Sequence, residues 1–412
     1  MIERRQAEQL AAVWARRDSD RLGFPCTPVV EEFELGWLIT SDVTPDARAL
    51  PGDLPTTVVD KETGDLSTWP RLPFPMVERM FLERRPTGPP PPRTVDAGSQ
   101  LLRELSRLPT PGAAAHLTRN GRTWIRYGAK GEVELRHHPL VRAYLDELPP
   151  GHLVRGGDRH AEMIVVSDVL HEYDQQRVAT GQPPASLEEA RTFLGDADLE
   201  FFRIREPGDP AGGRAELPCD SCINFLVHVN ALPWSDLAYT QMWRPGPQAV
   251  PDPDPGRFPP EIAASLVIAG WRPHFGDEVL AAAAIRDVTA VRGKRHTHAV
   301  FPAATSTITT FPGLNGKRRG PGEEVWISRL DIVPWKMGHT ADTLADFGGV
   351  LGVRLFPLGT ERGDSIIAVD EHGRIFALDQ AGEWFLGPDI DAALTTLLLG
   401  RAPARVRDDG TW

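Results

Sequence analysis

Cysteine, lysine and long apolar runs are scarce in this chain of 412 residues. Three cysteines, Cys26, Cys219 and Cys222, are too few for the disulfide framework of a secreted protein this long. No apolar stretch approaches the roughly 18 residues of a membrane span. The opening MIERRQAEQLAAVWARRDSD is charged and has no apolar core of the signal-peptide kind. A cytoplasmic protein with no membrane partner is therefore expected. Lysine occurs only at 61, 130, 294, 317 and 336, against 40 arginines, and the net charge is −12. An acidic chain does not coat nucleic acid by bulk charge, although a local basic groove stays compatible with it.

Proline and glycine, in contrast, are abundant, at 39 and 38 residues. Two proline-dense stretches, Arg84–Arg93 and Arg244–Pro260, cannot continue a helix or a central strand, and they read as stiff spacers. They divide the chain into 1–85, 94–245 and 256–412. Segment 1–85 opens on a helical face (Ala7, Leu10, Ala11, Val13, Trp14). Short strands at Val29–Phe33, Gly36–Thr40 and Thr56–Asp60 follow, giving a small α+β module. In 94–245 we expect a helix at Ser99–Leu108, then strands Thr123–Tyr127 and Glu132–Arg136 paired across Gly128–Gly131. A helix near Arg159–Arg177, strand Leu199–Arg205 and a helix opening at Pro218 complete a layered α/β arrangement. Segment 256–412 mixes helices (Pro259–Gly270, Asp342–Phe347, Asp389–Leu399) with a hairpin, Ile366–Val369 to Ile375–Leu378.

One constellation has the spacing of metal ligands. Cys219 and Cys222 lie three apart after Pro218, so both sulfurs face one way on a first helical turn, where the helix dipole favours thiolates. His160 and Glu162 open another helix. One histidine and two cysteines would hold Zn2+ and leave a fourth position for water, which marks a catalytic site rather than a closed one. Glu162 is then placed to shuttle protons without ligating. Three other readings stay open: a redox cysteine pair, which leaves His160 and Glu162 unexplained; a closed zinc site using His228 or His171; and two incidentally buried cysteines.

The pattern His160-Ala-Glu162 followed by Pro218-Cys-Asp-Ser-Cys222 resembles the zinc deaminase superfamily, and within it the YwqJ-like branch. That resemblance implies a central three-layer α/β/α cytidine-deaminase-like domain in a multidomain α/β and α+β chain. It further implies metal ligands His160, Cys219 and Cys222, Glu162 as the catalytic acid–base, and cytosine-to-uracil hydrolysis on a single-stranded nucleic acid or a free nucleoside. The insertion-like loop Pro207–Glu216 departs from the pattern and bears on pocket shape. FPPEIAASLVIAGWRP, LADFGGV (344–350), LGVRLFPLG (351–359), VDEHGRIFALD (369–379) and LGPDIDAALTTLLLG (386–400) resemble the SUKH superfamily of immunity proteins, which implies a toxin partner. LPGDLPTTVVDKETGDL resembles the small YrhB-like immunity domains.

Trp124, Tyr127, Arg126 and His137 are candidate substrate contacts, each also readable as core packing or loop. Arg119, Arg122, Arg126 and Arg136 make the front half of the central segment basic, a path for a nucleic-acid strand. The clusters Gly293–His296 and Lys317–Arg319 read as solvated surface, and Trp234 and Trp243 as structural. Two further readings accompany the enzyme: a non-catalytic immunity protein with a vestigial or decoy deaminase segment, and flanking domains that restrain their own deaminase.

Overall fold

The protein was analysed as a computed structural model describing residues 2–43, 54–85, 90–96, 98, 111–215, 217–233, 252, 254–272 and 276–412. The expected helix Ser99–Leu108, Trp234, Trp243 and most of the second proline-rich stretch lie outside the described residues. The chain divides into two compact units, Met1–Leu108 and Pro109–Trp412.

In the first unit, strands β1 (Cys26–Phe33), β2 (Gly36–Val43), β3 (Thr56–Asp60) and β4 (Leu66–Trp69) form an antiparallel sheet in sequence order. Both faces are covered, because side chains alternate along a strand. Trp37, Ile39 and Val59 meet Ala7, Leu10 and Ala11 of helix α1 (Arg4–Leu22). Leu38 and Val58 meet Val77 and Phe81 of α2 (Phe74–Arg84). A capping box at Glu3/Gln6 and a left-handed Gly23 bound α1.

The second unit holds two sheets. The first has order β6-β5-β7-β8, with β5 Gly112–Arg119, β6 Arg122–Tyr127, β7 Asp198–Ile204 and β8 Gly213–Ala215. Between β6 and β7 come α3 (Pro139–Glu147), α4 (Ala161–Ala179) and α5 (Leu187–Leu194), and α6 (Asp220–His228) follows β8. The expected partner strand Glu132–Arg136 is irregular; β6 pairs instead with the alanine-rich β5, Ala114 opposite Tyr127. The turn is Asn120-Gly121, both at positive φ (50° and 76°), the geometry that suits a two-residue hairpin. Alanine has a weak strand preference, but Ala113 and Ala115 lie beneath helices, where small side chains admit close packing. The described helices share one core with Ala113, Ala115, Leu117 and Phe201.

The remaining α-helices among the described residues of this unit are α7 (Pro260–Ile268), α8 (Glu278–Ala290), α9 (Pro302–Thr310), α10 (Ala341–Leu351) and α11 (Ile390–Leu399). They cover a seven-stranded sheet of order β15 to β9: β9 Leu314–Gly316, β10 Leu330–Ile332, β11 Leu355–Glu361, β12 Ser365–Asp370, β13 Ile375–Asp379, β14 Gly382–Gly387 and β15 Ala404–Arg405. Ile367, Val369 and Ala377 point to one core, and Ile366, Ala368, Phe376 and Leu378 to the other. Burial on both faces explains why β12 and β13 read as continuous apolar runs. The expected hairpin is present, with Val369 opposite Ile375 and a left-handed Gly373 in its turn.

The two sheets are joined by more than chain connectivity. Main-chain hydrogen bonds run from Gly151 to Glu324 (3.1 Å) and from Trp326 to Leu153 (2.9 Å). The Arg155 guanidinium, 5% exposed, lies between Glu361 (2.8 Å) and Asp379 (2.9 Å). Buried charge of this kind needs its partners, so these contacts hold the β11–β12 turn against the central segment.

Candidate active site

Helix α4 is buried around its whole circumference from Ala161 to Leu170, as expected for a helix running through a core. Its N-cap is His160, delivered by a 3₁₀ turn at Gly157–Arg159. Arg159 fixes that turn by donating to the carbonyls of Ala129 (3.0 Å) and Val133 (2.8 Å). Cys219 is the N-cap of α6 and Cys222 lies in its first turn, so Pro218 precedes the helix instead of opening it. Ser221 Oγ accepts from the Val154 N–H (3.3 Å), tying the cysteine helix to the loop that carries His160.

These elements bring His160 Nδ1 to 3.4 Å from both Cys219 Sγ and Cys222 Sγ. The three ligand atoms lie within 4.8 Å of one another, and they form the metal-type cluster found among the described residues. Tetrahedral zinc with sulfur at about 2.3 Å and nitrogen at about 2.0 Å sets sulfur and nitrogen about 3.5 Å apart. The donor set therefore fits zinc in both chemistry and spacing. His171 accepts no place in it: its Nε2 is 3.2 Å from the Arg136 carbonyl. His228 packs on Tyr144, ring centroids 4.9 Å apart.

Glu162 is wholly buried, and neither of its oxygens has a hydrogen-bond partner. Burial pushes its carboxyl up to about 7, against the pull of His160. A carboxyl near neutrality can both take and give a proton. Burial alone would raise the Cys219 thiol, but hydrogen bonding from Cys222 and the charge of His160 bring it well below its ordinary range. Burial and the neighbouring Cys219 thiolate push Cys222 well above. His160, Glu162 and Cys222 are enclosed, whereas Cys219 lines a cavity of about 700 Å³.

That cavity has two sources of wall. Phe201, Arg203 and Pro210–Gly212 come from the central segment, and Arg319, Arg329, Arg362 and Asp364 from the C-terminal one. The departing loop Pro207–Glu216 supplies β8, which pairs with β7 (Phe202 opposite Arg214) and forms one side of the cavity. Arg362 sits at the tip of the β11–β12 turn with φ 59°, beside Gly363 at φ 79°. A non-glycine residue there costs on the order of 1 kcal/mol or more, and such strain concentrates at functional sites.

The candidate substrate contacts are placed as follows. Trp124 donates to Glu172 (2.8 Å) and Arg126 to Asp168 (2.5 Å). Glu172 is twelve residues along α4 from His160, about 18 Å at the helical rise, so the Trp124 indole is bound away from the metal cluster. Tyr127 ends β6, half-buried. His137 is half-buried in the segment before α3, with both ring nitrogens lacking a hydrogen-bond partner, and its neighbour His138 is buried, accepting from the Leu140 N–H as the cap of that helix. The segment, readable from sequence as a loop, is packed against α4 through the contacts of His138 with Ser167 and Asp174. The basic path is not free either: Arg119 binds the Phe193 carbonyl, Arg122 binds Glu172, Arg126 binds Asp168 and Arg136 binds Glu134.

Lys317–Arg319 also departs from solvated surface. Arg318 is buried against Glu261 and Ser265, and Arg319 binds Asp220 (2.5 Å) beside Cys219. Gly293–His296 wraps the Asp342 carboxylate with three N–H groups. Sequence reasoning left Arg203, Arg214, Arg329 and Arg362 unremarked and read Arg319 as solvated surface, because a lone arginine carries no local signature of a site.

Residues 98–231 match the family model of YwqJ-like deaminases. Residues 258–400 match that of the SUKH-3 immunity proteins, and residues 5–88 that of the Immunity protein 35-like domains. No curated protein and no solved structure matches the chain. The deaminase-type match spans His160, Glu162, Cys219 and Cys222, and the immunity-type matches flank it in the expected layout. No described helix is long and apolar enough to cross a membrane.

Proposed function

We propose that residues 94–245 form a zinc-dependent hydrolytic deaminase of a nucleobase, cytosine to uracil. It would act within a bacterial conflict system, between immunity-type domains at 1–85 and 256–412. The observation that carries this reading is the orphaned Glu162 carboxyl beside three converging ligand atoms. His160, Cys219 and Cys222 would hold Zn2+, which supplies a Lewis acid able to make water nucleophilic at neutral pH. Glu162 takes the proton from the attacking water and passes it to the ring nitrogen beside C4. Once the C4–O bond has formed, Glu162 takes the second proton from the new C4 hydroxyl and delivers it to the exocyclic amine; the C4–N bond breaks as C4=O forms, and ammonia leaves. Enclosure in a dry site keeps its affinity for protons high.

The test is ammonia release from a cytosine substrate by the purified full chain, with metal content measured on the same sample. The proposal expects one zinc per chain, turnover in the wild type, and lost turnover with retained zinc in Glu162→Gln. Unchanged turnover in that variant removes the assigned role.

A second reading follows from the enclosure of Glu162 and from the two immunity-type matches: a binding protein that neutralises a toxin, with the central site silent. Zinc-loaded protein that releases no ammonia yet protects cells from a co-expressed toxin supports that reading.

A further inference from the structure

An acidic protein that gathers arginines around one cavity has concentrated positive charge where an anion can use it. Among the described residues, Arg203, Arg214, Arg319, Arg329 and Arg362 line the cavity at Cys219, with Asp220 and Asp364 as the carboxylates. Three of the five keep buried donor atoms with no hydrogen-bond partner: Arg203 Nε, Arg319 Nε and Arg362 Nη2. Arg362 Nη2 lies 3.8 Å from Asp379 Oδ2, beyond hydrogen-bond reach. The large majority of buried side-chain donors are satisfied, so three unpartnered ones on arginines around one cavity are consistent with an anionic acceptor there. The other arginines are held by surface ion pairs, Arg214 with Glu200 and Arg329 with Asp331, which exchange readily for a stronger acceptor.

We propose that this cavity binds the phosphate of a nucleotide, and that the C-terminal segment supplies part of the binding site through Arg319 and Arg362. The proposal rests on the deaminase reading for the identity of the base, and names the substrate as a phosphorylated nucleoside. Guanidinium forks match phosphate oxygens in pairs, and about 700 Å³ accommodates a mononucleotide. Cys219 in the cavity wall sets the metal cluster beside the space the base would fill. The strained Arg362 turn, braced by Arg155 on Glu361 and by Arg205 on the Asp364 carbonyl, is the device that presents one arginine. A free nucleotide is favoured over a strand, because Arg119 and Arg126, the more buried arginines of the expected path, are held within the protein by the Phe193 carbonyl and Asp168.

Binding is measured by titration calorimetry on the full-length Glu162→Gln protein, which removes the proposed proton carrier. The probes are cytidine 5′-monophosphate, cytidine, inorganic phosphate and a short oligocytidylate. Cytidine monophosphate is expected to bind at least about tenfold more tightly than cytidine, the effect of one charge-assisted hydrogen bond. Arg203→Gln and Arg362→Gln should each close most of that gap, and inorganic phosphate should compete with the nucleotide in the parent protein, which requires no arginine variant to fold. Equal binding of nucleotide and nucleoside with no competition by phosphate overturns the proposal, and so does tighter binding of the oligonucleotide. Arginine-dependent nucleotide binding, with no ammonia released by the wild type, keeps the phosphate site and removes the deaminase reading. Equal KM values for cytidine and its monophosphate, with ammonia released from both, do the reverse.

Discussion

Replacing Arg155 by methionine should cost about 3 kcal/mol, and the structure sets that magnitude. Breaking a buried ion pair by removing one partner costs roughly 3–5 kcal/mol, because the other charge stays buried alone. Here two carboxylates lose their shared cation, Glu361 at 2.8 Å and Asp379 at 2.9 Å. Asp379 keeps N–H donors from Ala381 (2.9 Å), Gly382 (3.1 Å) and Trp384 (3.1 Å), which brings the cost to the low end of the range. Urea unfolding followed by tryptophan fluorescence reads the loss, and Trp384, whose ring lies 5.6 Å from the Arg155 guanidinium, reports the site itself. The sign with pH is fixed. Burial opposes ionisation of Asp379, but Arg155 and Arg362 hold it down to about 2. Its contribution is present above its unfolded value near 3.9 and is lost as pH falls towards 2. In Arg155→Met that depression shrinks, so the gap between wild type and variant should narrow from pH 5 to pH 2. A loss below 1 kcal/mol at pH 7, or a gap that widens in acid, refutes the reasoning.

Other consequences are equally direct. Burial lowers His298 to about 4, so the folded state keeps it neutral. The unfolded chain takes up a proton near pH 6.5, and stability should fall by about 3 kcal/mol between pH 6.5 and 4, then level off; His298→Gln should flatten that part of an acid titration. Gly121→Ala meets no atom within 4 Å but must hold φ 76°, so it should cost about 1–2 kcal/mol in thermal unfolding. Cys222→Ser should lower zinc content while leaving the far-ultraviolet circular dichroism of the chain unchanged.

How much was legible depended on whether a signal was local. The cluster residues announced themselves through spacing, since His160, Glu162, Cys219 and Cys222 each sit in a short motif at a helix start. The β12–β13 hairpin was equally plain, from two apolar runs around Gly373. Strand β5 was not, because Ala113–Ala115 owe their strand to tertiary packing beneath α4, and the informative Asn120-Gly121 turn lay between two unremarkable runs. The places of Arg319, read as solvated surface within Lys317–Arg319, and of Arg362 were illegible for a different reason. Each is one arginine among 40, and only the fold carries them to Cys219 from 100 or more positions away. The expected basic path failed because charge counting ignores the internal acids Asp168 and Glu172 that consume it.

The central claim is that one imidazole and two thiolates grip zinc and leave a corner open. X-ray absorption at the zinc edge of the purified full chain tests it. The account predicts two sulfur ligands near 2.3 Å and two nitrogen or oxygen ligands near 2.0 Å, one of the latter lost in His160→Ala. Three or four sulfur ligands, or a spectrum unchanged by that substitution, would contradict it.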